Sequence, residues 1–334
     1  TGGTGYIGSH TAVELIGSGY EVSIIDNLYN SDAETAERIG EITGITPHLE
    51  VFDICDRKKL DGFLKKKGKI SAIIHFAAYK AVGESVNKPL DYYRNNLVSL
   101  MNLLDAMIRY KIPALVFSSS CTVYGQPEKL PVTEDTPIQP ATSPYGNTKR
   151  IGEEVIRDTI FANPDLNAIS LRYFNPIGAH PSGLIGEMPR GVPENLVPFI
   201  TQTAIGLRDM LRVFGNDYNT PDGSCIRDYL HVVDLAKAHV VAVDRLLGER
   251  NKKRYEVFNL GTGKGVSVFE AIESFERVSG IKLKYLVTDR RPGDIEKIWA
   301  DPSLANEELG WKTQYSLDEA MRSAWKWENS IRKK

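Results

Sequence analysis

The chain has 334 residues, 42% of them hydrophobic and 25% charged, enough to bury a sizeable core as one large domain or two closely packed ones. Its formal net charge of −2 supplies no basic field to gather a polyanion, so nucleic acid is not an expected partner. No apolar run approaches the roughly 20 residues of a membrane span, the opening lacks the charged and then apolar stretch of a secretory leader, and Cys55, Cys121 and Cys225 are too scattered for a disulfide framework or a metal site; a cytoplasmic, metal-free protein is expected.

The first eight residues, TGGTGYIG, place Gly2, Gly5 and Gly8 before a stretch whose Ala12, Leu15 and Ile16 recur at helical spacing. Such glycines let a chain turn tightly and bring helix N-terminal amides, with the favourable end of the helix dipole, against a pyrophosphate. Glycines at loop-to-helix junctions also occur without any ligand, so the turn alone leaves both readings open. The next run, EVSIID (21–26), ends in Asp26, eighteen residues past Gly8, where a carboxylate can accept from both hydroxyls of an adenosine ribose. A 2′-phosphate would be repelled there, and Asn27-Leu28-Tyr29-Asn30 offers no arginine to offset it, so NAD is favoured over NADP. The alternative is a solvated carboxylate at a strand end. The strand that should precede the turn is not in the sequence; a sheet without its middle strand would expose two unpaired edges, so a few residues are expected to precede Thr1.

Further β-branched runs follow at HLEVFDI (48–54), SAIIHFA (71–77), PALVFSSS (113–120) and NAISLRYF (167–174). Nearly continuous apolarity marks strands buried on both faces. Between them lie helical patterns, including Leu97, Leu100, Leu103, Leu104, Met107 and Ile108. This alternation predicts an α/β fold: a doubly wound parallel, Rossmann-type sheet over residues 1–175. Beyond 175 the chain turns Pro- and Gly-rich, predicting a smaller C-terminal substrate-binding lobe over most of 176–334 that closes over the sheet's C-terminal edge. A helix at 231–247 and a strand at 256–260 are expected to return to the first lobe.

The fifth strand runs into Ser118-Ser119-Ser120-Cys121-Thr122, and twenty-five residues past Ser120 comes Tyr145, with Lys149 four further on. Pro144 suits the first position of a helix, so Tyr145 and Lys149 share one face. An ordinary phenol is a poor base at neutral pH, but an adjacent ammonium and an oxidised nicotinamide both favour the phenolate, making Tyr145 a candidate proton acceptor with Ser120 as relay. A bare tyrosine-lysine pair at this spacing is commonly only a surface contact. In register with the glycine turn, Asp26 and the serine run, it reads as one mechanism.

At this density of motifs the sequence resembles the extended short-chain dehydrogenase/reductase family, and within it the 4-epimerases of UDP-hexoses, over essentially the whole chain. The resembling segments include TGGTGYIGSH, HFAAYKAVGES, FSSSCTVYG, PYGNTK, LRYFNPIGAHPSG, FGNDYNTPDGSCIRDYLHV, FNLGTG and RRPGD followed by WAD. The resemblance implies reversible interconversion of UDP-glucose and UDP-galactose through transient oxidation at C4 by tightly bound NAD, in a homodimer built through helices near 89–110 and 143–160. It implies an NAD site formed by Tyr6, Ile7, Asp26, Asn27, Leu28, Tyr29, Asn30 and Ser31, with Asp53 and Ile54 at the adenine. Phe76, Ala77, Ala78, Tyr79, Lys80, Asn95, Ser120, Tyr145, Lys149 and Phe174 would complete it. The UDP-sugar would meet Ser120, Tyr145, Asn175, Asn195, Leu196, Arg212, Val213, Phe214, Arg227 and Arg291, Pro292, Gly293 and Asp294. Two arginines from separate loops suit a diphosphate.

Nucleotide-sugar 4,6-dehydratases share the fold and the Tyr/Lys pair but carry Thr-Asp-Glu where this chain has Ser120-Cys121-Thr122. Without a carboxylate at 121 or 122, dehydration lacks its acid and base. In the family a bulky residue at the position of Ile298 blocks N-acetylated sugars and a small one admits them; Ile298 is neither tyrosine nor small, which implies preference for glucose and galactose with some leakage.

Overall fold

The computed structural model describes residues 1–291 and 294–332. The first half alternates helix and strand in chain order: α1 (Tyr6–Gly17), β1 (Ser23–Asp26), α2 (Glu34–Thr43), β2 (His48–Val51), α3 (Arg57–Lys67), β3 (Ala72–His75), α4 (Val82–Asn87), α5 (Pro89–Tyr110), β4 (Ala114–Ser120), α6 (Pro144–Ala162) and β5 (Asn167–Tyr173). There follow β6 (Asn175–Ile177), α7 (Leu196–Ala204), β7 (Leu211–Phe214), β8 (Ile226–Arg227), β9 (Tyr229–His231), α8 (Val232–Leu247), β10 (Tyr255–Leu260), β11 (Val266–Ser267), α9 (Val268–Ser279), β12 (Tyr285–Thr288), β13 (Lys297–Ile298) and α10 (Leu317–Arg332).

The fold is α/β and doubly wound. Parallel strands run in the order β10-β5-β4-β3, beside a separate parallel pair β1-β2. The two ladders are joined by the start of the chain, where Gly2 N–H donates to Ile25 O at 2.8 Å and Phe76 N–H to Thr1 O at 3.0 Å. The glycine turn is thereby fixed to both.

All seven residues of β4 are buried, because helices cover both faces. Leu115 and Phe117 face a core made with Leu60 of α3, Leu103 and Met107 of α5 and Ile156 of α6. Ala114 and Val116, pointing the other way, meet Leu235 and Val243 of α8 and Phe258 of β10. Thus α8 and β10, far along the chain, belong to this layer. Of the helical series expected to be buried on α5, Ile108 departs: it is 42% exposed, one step beyond the stripe that contacts the sheet.

A third core unites α7, β7, β9, α9 and α10 through Ile200, Val213, Tyr229, Phe275 and Met321. Short ladders complete this region, β12 parallel to β7 and β8 between β11 and β13. No described helix is long and apolar enough to cross a membrane.

His239 of α8 packs against Phe76, and its Nδ1–H donates to Leu235 O at 2.9 Å, while its buried Nε2 has no partner. Burial lowers its pKa to about 4. A histidine kept neutral when folded loses its stabilising contribution as pH falls below the unfolded value near 6.5 and toward 4. His239→Phe should therefore flatten the fall in unfolding free energy between pH 7.5 and 5 by about 2 kcal/mol, measured by urea titration at the two pH values.

Candidate active site

One cleft of about 2390 Å³ runs along the C-terminal ends of the parallel strands and beneath the region of α7, β7 and β8. This exceeds the size of an ordinary small-ligand pocket and leaves room for two nucleotides.

At one end lies the glycine turn. Gly2 has φ +70°, and a Cβ on it would come within 2.6 Å of Ala77 N; a Cβ on Gly8 would come within 2.2 Å of Gly2 O. Gly5 caps α1 without a side-chain bond. The first-turn amides of α1, including Tyr6 and Ile7 on the cleft wall, thus have no intrahelical acceptor and suit an anion. These features fit a dinucleotide pyrophosphate.

Asp26 ties the turn to the wall beside it. Its Oδ2 accepts from Thr4 N–H at 3.2 Å, and its Oδ1 from Leu28 N–H at 2.9 Å and Ser31 Oγ at 3.1 Å. Tyr29, Asn30 and Ser31 line the cleft, as do Asn27, Asp53 and Ile54. Leu28, at φ 58°, places its amide on Asp26 beside them. Phe76, Ala77, Ala78, Tyr79, Lys80 and Asn95 form the adjoining wall. Asn96, not anticipated from the sequence, holds it, accepting from Tyr79 N–H at 2.8 Å and donating to Thr148 Oγ1 at 3.0 Å.

Ser120, Tyr145, Lys149 and Phe174 line the middle of the same cleft. Ser143 caps α6 by accepting from Gly146 N–H at 3.1 Å, and Pro144 opens the helix. The helix then carries Lys149 inward, where Nζ donates to Ser118 O at 2.6 Å and lies 5.9 Å from the centre of the Tyr145 ring. Burial lowers the Lys149 pKa to about 7. Burial, followed by the neighbouring Tyr173 hydroxyl, pushes the Tyr145 phenol well up, while the Ser120 hydroxyl pulls it the other way.

Behind these groups is a buried pair not anticipated from the sequence. Glu153, one turn past Lys149, accepts from Arg172 Nε at 2.9 Å and Nη2 at 2.5 Å and from Ser119 Oγ at 2.5 Å. Arg172 Nη1 also donates to Tyr124 at 2.9 Å, and Tyr124 to Asn259 at 2.7 Å. The i, i+4 step from Lys149 to Glu153 was the available signal. Burial pushes the neighbouring Cys121 thiol up to about 12, so it is not a nucleophile at neutral pH.

The far end of the cleft is lined by Asn175, Asn195, Leu196, Arg212, Val213, Phe214, Arg227, Arg291, Asp294 and Ile298. Alternation along β7 exposes Arg212 and Phe214 while sending the Val213 side chain into the core. Arg227 Nη2 and Arg291 Nη2 reach Asp294 Oδ1 at 3.9 and 2.7 Å, so two cations from separate segments converge on one carboxylate. Ile298 pairs in register with Arg227 and packs against Tyr124 and Phe174. Fully buried Asp228, also unanticipated, follows Arg227 in the chain and accepts from Thr262 N–H at 2.8 Å and Ala300 N–H at 3.1 Å. Pro292 and Gly293 lie outside the described residues. No cluster able to hold a metal occurs among the described residues.

The family model described as GDP-mannose 4,6 dehydratase matches residues 1–324. The UDP-glucose 4-epimerase of Bacillus subtilis (strain 168) is 51% identical over 330 residues, spanning 99% of this chain and 96% of the relative. The solved UDP-glucose 4-epimerase of Bifidobacterium longum, in complex with NAD+ and UDP, superposes with a TM-score of 0.94 at 44% identity, over 98% of this chain and 97% of that one. That of Stenotrophomonas maltophila, with bound NAD and formylated UDP-arabinopyranose, gives 0.95 at 46% identity, over 99% and 97%.

Since a Cβ at Gly8 would overlap the Gly2 carbonyl, Gly8→Ala should move the turn from the helix and weaken dinucleotide binding by at least about 1.4 kcal/mol, a factor of ten. Calorimetric titration of the cofactor-stripped protein with NAD checks this; unchanged affinity contradicts it.

Proposed function

The chain belongs to the UDP-glucose 4-epimerase family, and from that premise we propose that it interconverts UDP-glucose and UDP-galactose by transient oxidation at C4 with NAD retained throughout. The observation that carries the reading is that a glycine-turn half and an arginine-lined half share one cleft with Ser120, Tyr145 and Lys149. When bound, NAD supplies the hydride acceptor, returns the hydride to the opposite face of the same carbon, and in its oxidised form adds a positive charge that favours the Tyr145 phenolate.

Tyr145 then accepts the O4 proton, Ser120 orients the same oxygen, and Lys149 holds Tyr145 and the cofactor ribose. Tyr6, Ile7 and Lys80 face the dinucleotide phosphates, and Asp26 its adenosine ribose. Arg227 and Arg291 take the UDP diphosphate in place of Asp294, with Asn175, Asn195 and Leu196 beside it and Arg212 to Phe214 under the uridine. Holding the substrate by its nucleotide leaves the hexose free to turn over between oxidation and reduction. Dehydration is disfavoured because Cys121 and Thr122 supply no carboxylate.

The three thiols are unpaired, which supports a reducing, cytoplasmic setting. Exposed Met101 and Ile108 on α5 and Phe161 on α6 support dimerisation through these helices.

Purified protein given UDP-galactose and no added NAD should form UDP-glucose. No conversion, with no cofactor in the protein and no rescue by adding it, contradicts the reading. Tyr145→Phe should lower turnover by about 10²–10⁴ while sparing UDP-sugar affinity, as expected for loss of the proton acceptor; stopped-time assays and calorimetry separate the two effects. Ile298, 2% exposed and clustered with Tyr124 and Phe174 on the cleft wall, limits room at the sugar. Catalytic efficiency should be about tenfold or more higher on UDP-galactose than on its N-acetylated counterpart; equal efficiencies contradict this.

A further inference from the structure

The segment joining β6 to α7 crosses the cleft, and two of its side chains reach the opposite wall. Lys80 Nζ donates to Glu187 Oε1 at 3.1 Å. Arg190 donates from Nη1 to Tyr29 O at 2.9 Å and from Nη2 to Ser31 O at 2.6 Å. These contacts fall on the wall assigned above to NAD. From its own side, Glu187 Oε1 also accepts Asn195 Nδ2 at 2.7 Å, so one carboxylate oxygen serves a lysine of the cofactor wall and an asparagine of the substrate wall.

The base of the segment is held firmly. Trp327 of α10 donates its indole N–H to Glu187 O at 2.9 Å, and a Cβ on Gly186 would lie 2.4 Å from the same ring. Past the tip, Arg208 donates to Gly191 O at 3.2 Å. The span between is therefore a strap pinned at both ends, with Glu187 and Arg190 as its contacts across the cleft.

We propose that Glu187 and Arg190 are positioning residues of the cofactor site: Arg190 holds the 27–31 turn against the adenosine ribose, Glu187 aims Lys80 and Asn195, and NAD leaves only when this strap lets go. The proposal rests on the NAD reading above. An exposed arginine in an ion pair contributes little, but Arg190 binds two neutral carbonyls through a planar fork, a geometry that fixes backbone position. Retention matters chemically, because a reduced cofactor lost after the first half of the cycle would strand the oxidised sugar.

The test follows the loss of isotopically labelled NAD from the loaded protein into excess unlabelled NAD, for Arg190→Ala, Arg190→Lys, Glu187→Ala and the unchanged protein. Arg190 is exposed, so its replacement opens no core cavity. Arg190→Ala should speed label loss at least about tenfold, the equivalent of one charge-assisted hydrogen bond. Arg190→Lys, which can still reach one carbonyl, should fall between, and Glu187→Ala should also be faster. Arg277→Ala, exposed and away from the cleft, should match the parent. A purely structural role would lower melting temperature and leave label loss from the folded protein unchanged. Label loss from Arg190→Ala equal to the parent's overturns the proposal and spares the NAD reading; a parent that takes up no NAD overturns both.

Discussion

An ammonium buried beside a phenol is costly unless its surroundings replace the water it has lost. Lys149 meets this constraint with one carbonyl, Ser118 O, the faces of Phe117 and Tyr145, and the Glu153–Arg172 pair one turn further along α6. Much of the site follows from it. Bringing Nζ to Ser118 O sets α6 against β4, which in turn places Ser120 at the strand end opposite Tyr145. Gly152 permits this approach, since a Cβ there would already lie 3.0 Å from Phe117. The same burial that depresses Lys149 raises Tyr145, so positive charge beside the phenol favours its ionised form.

The local parts of this arrangement were legible in the sequence because they depend on short spacings. Tyr145 and Lys149 are one turn apart, Asp26 ends the strand after the glycine turn, and strands buried on both faces read as unbroken apolar runs. The rest depends on contacts between distant segments, which periodicity does not encode. Arg172 lies on β5 and meets Glu153 of the α6 helix packed on the sheet; Asp228 gathers donors from residues 262, 263 and 300; Glu187 meets Lys80 only when the segment after β6 folds back over the cleft. Residues at the margins were hardest to place. Ile108 fits the helical pattern yet faces out.

The matching family model is described by a dehydratase, whereas the full-length relatives are epimerases. The two chemistries diverge at positions that leave the fold untouched. Both need a base at O4 and a retained dinucleotide; only elimination needs an additional acid and base beside the sugar. Cys121 and Thr122 occupy the turn that starts at the end of β4, and Cys121, whose thiol is held protonated by burial, cannot take either role. A shared scaffold thus fixes oxidation at C4, and two side chains separate turning the sugar over from removing water.

The hydride cycle is tested most directly by UDP-galactose carrying deuterium at C4, converted in ordinary water without added cofactor. Return of the same hydride gives UDP-glucose with the deuterium retained at C4. Washout of that deuterium into solvent would mean that C4 loses a proton instead, and would contradict oxidation and reduction at a single carbon.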